Sequence, residues 1–259
     1  MACWWDGATI VADWLLTTQS LHKSFGAVIA SEALSLQVRR GEIHALIGPN
    51  GAGKTTVINQ LAGELSPDAG SIHFRGRDIT PYSADRRARL GLARTFQIST
   101  LFDQLSVAEN LSLGVQPRLG HSYRFWRRAD EDPELIAPVE QLLEQLELGN
   151  LAHQRAGSLA HGDRRRLELA MALAGEPAML LLDEPMAGTG PESSRELARL
   201  LGNLKGRLTV LLVEHDMDVV FSIADTISVM VSGRCIASGN PDAVRNDPLV
   251  RQAYLGEDD

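Results

Sequence analysis

Cysteine is nearly absent. The chain has two, Cys3 and Cys235, in 259 residues, too few for a disulfide framework. Neither sits near a histidine cluster with zinc spacing, so both are expected to be reduced thiols. Long apolar runs are missing as well. The longest, Met179–Leu182 and Leu208–Val213, are strand-length, far short of the ~18–20 residues that cross a bilayer. Positive charge is in deficit: 25 Lys and Arg stand against 33 Asp and Glu, a net charge of −8. Such a chain is a poor non-specific binder of nucleic acid, and no nucleic-acid partner is expected. No basic stretch precedes an apolar one at the start, so no signal peptide is expected. Aromatics are only 5%, yet Trp4, Trp5 and Trp14 are three of the four tryptophans. Residues 1–14 are therefore read as a flexible extension ahead of the folded part.

What is present is a globular composition, 44% hydrophobic and 22% charged, with a length that suggests one or two domains. Strands are expected at Leu15–Leu21, Ala33–Val38, Ile43–Ile47, Ser71–Phe74, Gly91–Phe96, Ala178–Leu182 and Leu208–Val213. Helices are expected at Lys54–Ala62, Ser83–Leu90, Val107–Leu113, Glu134–Leu148, Asp163–Ala174, Pro191–Leu204 and Asp216–Ala224. The glycine turn Ser232-Gly233 closes a hairpin, and short helices follow from Pro241. Strands alternating with helices argue for an α/β layered fold. The fully apolar strands suit the centre of a parallel sheet. The stretch Gly114–Pro133, rich in Arg, Gly, Pro and aromatics, reads as a solvated loop.

Gly48-Pro49-Asn50-Gly51-Ala52-Gly53-Lys54-Thr55 fits the phosphate-loop pattern at every fixed position. It follows an apolar strand and opens a helix, the context that pattern requires. Its glycines let successive backbone N–H groups turn inward as a nest for phosphate oxygens. Lys54 is placed to reach the outer phosphates, and the Thr55 hydroxyl, followed by Thr56, to meet Mg²⁺. The apolar strand Met179–Leu182 ends in Asp183-Glu184. A carboxylate at a strand's carboxyl end lies at the edge where such sheets bind ligands. Asp183 is then the metal carboxylate and Glu184 the general base that polarises the attacking water. His215 ends the path of the strand Leu208–Val213 and meets the γ-phosphate if that strand neighbours the phosphate-loop strand. Gln97, after the strand Gly91–Phe96, is a candidate for the same metal and water.

In this order the residues resemble the nucleotide-binding subunit of an ATP-binding-cassette (ABC) transporter, from about Leu15 to Gly256. The order is phosphate loop, Gln97, a signature-like segment Leu159-Ala160-His161-Gly162-Asp163, Asp183-Glu184, then His215. The resemblance implies one P-loop NTPase domain over 15–256, with a tail at 257–259. It implies a parallel-sheet core, an antiparallel β subdomain and an inserted helical subdomain at about 98–162. It also implies ATP and Mg²⁺ as the bound groups. The signature segment would close over the ATP of a second ATPase subunit, sister or self. The family pattern there is Leu-Ser-Gly-Gly-Gln, and this chain departs from it at Ala160, His161 and Asp163. Ala160 lacks a hydroxyl expected at the γ-phosphate, and Asp163 is expected to cap the following helix while adding negative charge. Phe25 stands where the family stacks an aromatic on adenine, and reads equally as a core residue beside a turn. Ala187-Gly188-Thr189-Gly190 matches the loop between subunits.

Arg94-Thr95-Phe96-Gln97, Glu214-His215-Asp216-Met217 and Ala253-Tyr254-Leu255-Gly256-Glu257 look like the high-affinity branched-chain amino-acid importers, whose relatives carry urea or amides. The partners implied are two transmembrane permease subunits and, indirectly, a periplasmic solute-binding protein. The implied place is the cytoplasmic face of the inner membrane. A lipopolysaccharide-type export ATPase and a soluble ABC-type ATP switch are the alternatives.

Overall fold

The computed structural model describes residues 13–95, 101–118 and 133–252. Trp4, Trp5, Cys3, Gln97 and the terminal Ala253–Glu257 motif lie outside the described residues.

Two sheets organise the chain. The first is antiparallel. Its strands are β1 (Trp14–Phe25), β2 (Val28–Leu34), β3 (Gln37–Arg39), β5 (Ala69–Phe74) and β6 (Arg77–Asp78). They run in the order β2-β1-β5-β6, with β3 also on β1. The second sheet has six strands: β4 (Ile43–Ile47), β7 (Leu92–Arg94), β8 (Met179–Asp183), β9 (Thr209–Val213), β10 (Thr226–Val231) and β11 (Arg234–Gly239). Their order is β11-β10-β4-β9-β8-β7. All neighbours are parallel except the β10–β11 hairpin. Every residue of β4, β8 and β9 is buried, because helices cover one face and the antiparallel sheet with a further helix covers the other, leaving no polar side to alternate with.

The helices are α1 (Lys54–Ala62), α2 (Ala84–Arg89), α3 (Val107–Val115), α4 (Pro133–Gln145), α5 (His161–Leu173), α6 (Pro191–Gly202), α7 (Met217–Ile223), α8 (Pro241–Asn246) and α9 (Pro248–Val250). One apolar cluster joins α3, α4, α5 and α6 to the face of the large sheet that Leu180, Leu182, Val210 and Leu212 present. A second fills the space between the two sheets, where Leu16, Ile72 and Phe74 meet Leu46, Met179, Leu181 and Val213. The alternation of β8 residues between these clusters is the two-residue period of a strand buried on both faces.

The local signals explain the boundaries. α3 starts at a capping box, with Ser106 accepting from the Glu109 N–H and Glu109 accepting from the Ser106 N–H. α7 and α8 start at Asp216 and Asn240, whose side chains accept from the third helical N–H. Two expectations need correction. The expected strand Ala33–Val38 is instead the end of β2 and the start of β3, separated by a break at Ser35-Leu36. Trp14 belongs to the sheet and not to the extension: it pairs with Arg39, whose guanidinium lies 4.9 Å from the indole ring. That contact comes from strand pairing, which composition at the chain start does not reveal.

Candidate functional site

The strand order decides which residues meet. β9 lies between β4 and β8, with Leu46 opposite Val213 and Val213 opposite Asp183. The turn after β4, Glu214-His215 after β9, and Asp183-Glu184 after β8 therefore share one edge. The condition set for His215, that its strand neighbour the phosphate-loop strand, holds.

The phosphate loop, Gly48–Thr55, is shaped by close backbone contacts. Gly48 has φ +151° and Gly53 φ +100°. A Cβ on Gly48 would stand 2.0 Å from the Met230 carbonyl oxygen, and on Gly53 1.9 Å from that of Ala30. Only glycine fits either place. Gly51 also has positive φ, while Ala52 is buried and donates its N–H to the Pro49 carbonyl, beside Asn50. Lys54 is buried and folds back, its Nζ donating to Gly48 O at 2.7 Å and Pro49 O at 3.0 Å. Burial lowers its pKa, and Glu184 and Asp183 oppose that shift. Thr55 and Thr56 follow in the first turn of α1, Thr55 exposed.

The far end of α1 is held just as firmly. Arg87 is fully buried and donates to the carbonyls of Gln60 at 2.6 Å, Leu61 at 2.7 Å, Thr80 at 3.0 Å and Tyr82 at 3.0 Å. The first two are carbonyls of α1's last turn, so a cation supplies the donors that a helix end lacks. Burial pulls the Arg87 pKa down to about 10.

Asp183 ends β8 and is buried. Burial raises its pKa, Glu184 adds to that, and Arg94 opposes it most. One of its oxygens, Oδ1, is buried and accepts no hydrogen bond among the described residues. A buried carboxylate oxygen left open is what a divalent ion or its water shell would take. Among the described residues, no three His, Cys, Asp or Glu gather as a metal cage. A divalent ion here would take the remaining oxygens from nucleotide and water, the usual way for Mg²⁺. Glu184 has φ +50° and donates its N–H to Val213 O at 2.9 Å. A left-handed backbone at a glutamate is strained, of the kind that clusters at active sites. Asp183, Glu184, Thr95 and Arg165 line one cavity of about 90 Å³.

Glu214 is a residue the sequence reading did not single out as functional. It is fully buried and accepts from the Met186 N–H at 2.8 Å and the His215 N–H at 3.1 Å. It thereby fixes the chain just past Glu184-Pro185 to the base of His215. Burial raises its pKa. A charged residue continuing the apolar run Thr209–Val213 was the available signal. His215 itself is exposed, its Nδ1 3.7 Å from Glu214.

The signature-like segment sits elsewhere, at the start of α5. Ala160 is the N-cap and makes no side-chain cap bond. Asp163 does not cap the helix, as expected from its type; it stands in the first turn and pairs with Arg166. Its charge is thus countered within the chain. Ala160 and His161 are exposed and Leu159 half-buried. Gly162 is set by packing: a Cβ there would lie 2.7 Å from Ser193 Oγ of α6. The run Arg164-Arg165-Arg166 forms ion pairs with Asp103, Glu168 and Asp163, so it is no free basic patch. The segment opens α5, whereas the phosphate loop opens α1. Phe25 is exposed, with the Lys23 ammonium 5.7 Å from its ring. That excludes the reading of Phe25 as a core residue.

Comparison with known proteins agrees with this arrangement. The family model described as "ABC transporter" matches residues 31–187. One described as "Branched-chain amino acid ATP-binding cassette transporter" matches residues 234–259. The chain is 40% identical over 252 residues to the high-affinity branched-chain amino acid transport ATP-binding protein LivG of Salmonella typhimurium, covering 94% of this chain and 98% of that one. It is 39% identical over 244 residues to the lipopolysaccharide export system ATP-binding protein LptB of Acidithiobacillus ferridurans, covering 94% and 97%. A solved ATP-binding cassette of an ABC transporter in its ADP conformation superposes with a TM-score of 0.81 at 32% identity, covering 94% and 99%. The phosphate loop at the centre of a parallel sheet, the Asp-Glu strand end two strands away and these likenesses together mean that the chain belongs to the ABC transporter family, as one of its ATP-binding cassettes.

Proposed function

We propose that this chain is the ATP-hydrolysing motor subunit of an ABC importer for branched-chain amino acids or related small polar solutes. The observation that carries the solute class is the match of residues 234–259 to the branched-chain cassette model, beside 40% identity to LivG. The solute never meets this subunit, so no pocket of the chain selects it.

In this reading the backbone N–H groups of Gly48–Lys54 cradle the ATP phosphates. The Lys54 ammonium leaves the Gly48 and Pro49 carbonyls for phosphate oxygens. Thr55 and Asp183, with Gln97, would hold Mg²⁺, which when bound would offset phosphate charge. Glu184 takes a proton from the water whose oxygen attacks the γ-phosphorus, while the bond to the bridging oxygen of ADP breaks. His215 contacts the transferred phosphoryl group, and Glu214 positions both Glu184 and His215. Phe25 stacks on adenine. Leu159–Asp163 closes over the nucleotide of a second ATPase subunit. The helical arm, about residues 98–162, meets two permease subunits at the cytoplasmic face of the membrane. A periplasmic binding protein delivers the solute. Among the described residues no helix is long and apolar enough to cross a membrane, so the permeases supply the path.

Replacing Glu184 with Gln tests the chemistry. ATP binding is expected to persist while phosphate release falls at least about 10²-fold, the usual worth of a general base. Turnover at the wild-type rate would remove Glu184 from that role. Affinity capture from solubilised membranes tests the partners. Two polytopic permeases with a periplasmic binding protein support the importer. Permeases with envelope-spanning proteins would instead match the LptB likeness.

A further inference from the structure

One arginine connects three parts of the site. Arg94 is the last residue of β7, the strand beside β8. Its side chain is only 10% exposed. One guanidinium nitrogen donates to Asn59 Oδ1 at 2.6 Å and to Glu64 Oε2 at 2.5 Å. Asn59 lies on the phosphate-loop helix and Glu64 just past its end. The other terminal nitrogen donates to Asp183 Oδ2 at 3.4 Å. The buried Asp183 Oδ1 meanwhile accepts no hydrogen bond among the described residues.

A carboxylate with one oxygen held and one open has a fixed orientation. Arginine is suited to this because its planar fork keeps several donors at set angles, which a lysine ammonium does not. Partners behind a metal-binding carboxylate orient it and tune the affinity for the ion. We infer that Arg94 is a positioning residue for the metal carboxylate: it holds Oδ2 of Asp183, which leaves Oδ1 as the oxygen that would take a Mg²⁺ ion, and it ties that orientation to the phosphate-loop helix through Asn59 and Glu64. The inference rests on the reading of Asp183 as the metal carboxylate. It also gives Arg94-Thr95-Phe96-Gln97 a physical role at its first residue.

The test compares ATP affinity in EDTA and in Mg²⁺ for the full chain, by calorimetric titration. The ratio of the two dissociation constants is the metal's contribution. With Mn²⁺ in place of Mg²⁺, the electron paramagnetic resonance spectrum reports the bound ion directly. In Arg94→Met the metal contribution is expected to shrink about tenfold, with metal-free ATP affinity within about twofold of wild type. Arg94→Lys, which keeps the charge and loses the fork, is expected to lose about threefold. An unchanged metal contribution in Arg94→Met overturns the inference. So does an equal loss of metal-free binding, which would make Arg94 only a tether of α1. Should Arg94→Met not fold, an unchanged contribution in Arg94→Lys overturns it instead. Asp183→Asn separates the two readings. If it collapses the metal contribution and Arg94→Met does not, only the positioning role fails. If Asp183→Asn changes nothing, the metal reading of Asp183 itself fails.

Discussion

The phosphate loop and the signature-like segment differ in what surrounds them. Around the loop, the neighbours are backbone carbonyls within 2.0 Å of where a Cβ would be. They belong to β2 and β10, strands that cannot move without disturbing two sheets. The helix that follows is locked at its far end by a buried arginine. At Leu159–Asp163, Ala160 and His161 are exposed, Asp163 pairs with Arg166, Leu159 packs half-buried against the main apolar cluster, and Gly162 packs against Ser193 of α6. The loop retains every fixed position of its pattern, and the segment departs from its own at three. Residues held by the chain's own backbone are fixed by folding, whereas residues left exposed in the single chain are free to vary as far as folding is concerned.

Breaking the loop is expected to have the largest effect. Gly53→Ala forces a left-handed backbone and a clash with Ala30, at a cost of about 3–4 kcal/mol. Calorimetric melting should show Tm lower by about 10 °C, and titration should show no ATP binding. At the segment, Gly162→Ala meets the side chain of Ser193, which can rotate aside, so about 1 kcal/mol is expected from the same melt. A loss as large as that of Gly53→Ala would erase the distinction between the regions.

Ala160→Ser should move stability the other way. It supplies the missing N-cap acceptor of α5, and a gain of about 1 kcal/mol is expected, seen as a higher Tm. If its hydroxyl also meets the partner's nucleotide, the ATPase rate of the assembled pair should rise about fivefold, the worth of one added hydrogen bond. A lower Tm would show that Ala160 is constrained by packing after all.

The smallest effect is expected at the turn bearing Phe25. There, at the surface, Asp68 accepts from Lys23 at 2.6 Å and from the Ser24 N–H at 2.8 Å, with the Lys23 side chain mostly covered and Asp68 partly exposed. The Lys23 hydrogen bond, then the Ser24 N–H, hold the Asp68 carboxyl below its ordinary value. Its contribution is therefore complete above the ordinary carboxylate pKa and is lost as pH falls through the lowered one. Asp68→Asn should lower Tm slightly at neutral pH and leave it unchanged at strongly acid pH, where both forms are neutral.

Legibility in the sequence follows the same division. The strand Ile43–Ile47, the glycine loop and α1 were readable because their residues are neighbours in the chain and each answers a local backbone demand. The apolar runs at β8 and β9 were readable because burial on both faces leaves no polar alternation. The break between β2 and β3 was not, since pairing with β1 and not the local residue pattern sets where each strand stops. Asp163 was misread as a cap because its type suits one, while its position in the first turn and Arg166 one turn later decided otherwise.

The phosphate loop, the Asp-Glu strand end and the order in which they occur are set locally along the chain, because each is a short run with its own geometry. That β9 lies between β4 and β8 is settled by the packing of the whole chain. That packing alone set Glu214 behind His215 and Met186, Arg87 on the carbonyls of α1, and Arg94 among Asn59, Glu64 and Asp183. Several of these contacts join residues tens of positions apart. Their energetics depend on burial, which makes an unpartnered charge costly and so fixes which groups must meet, and burial is a property of the packed chain.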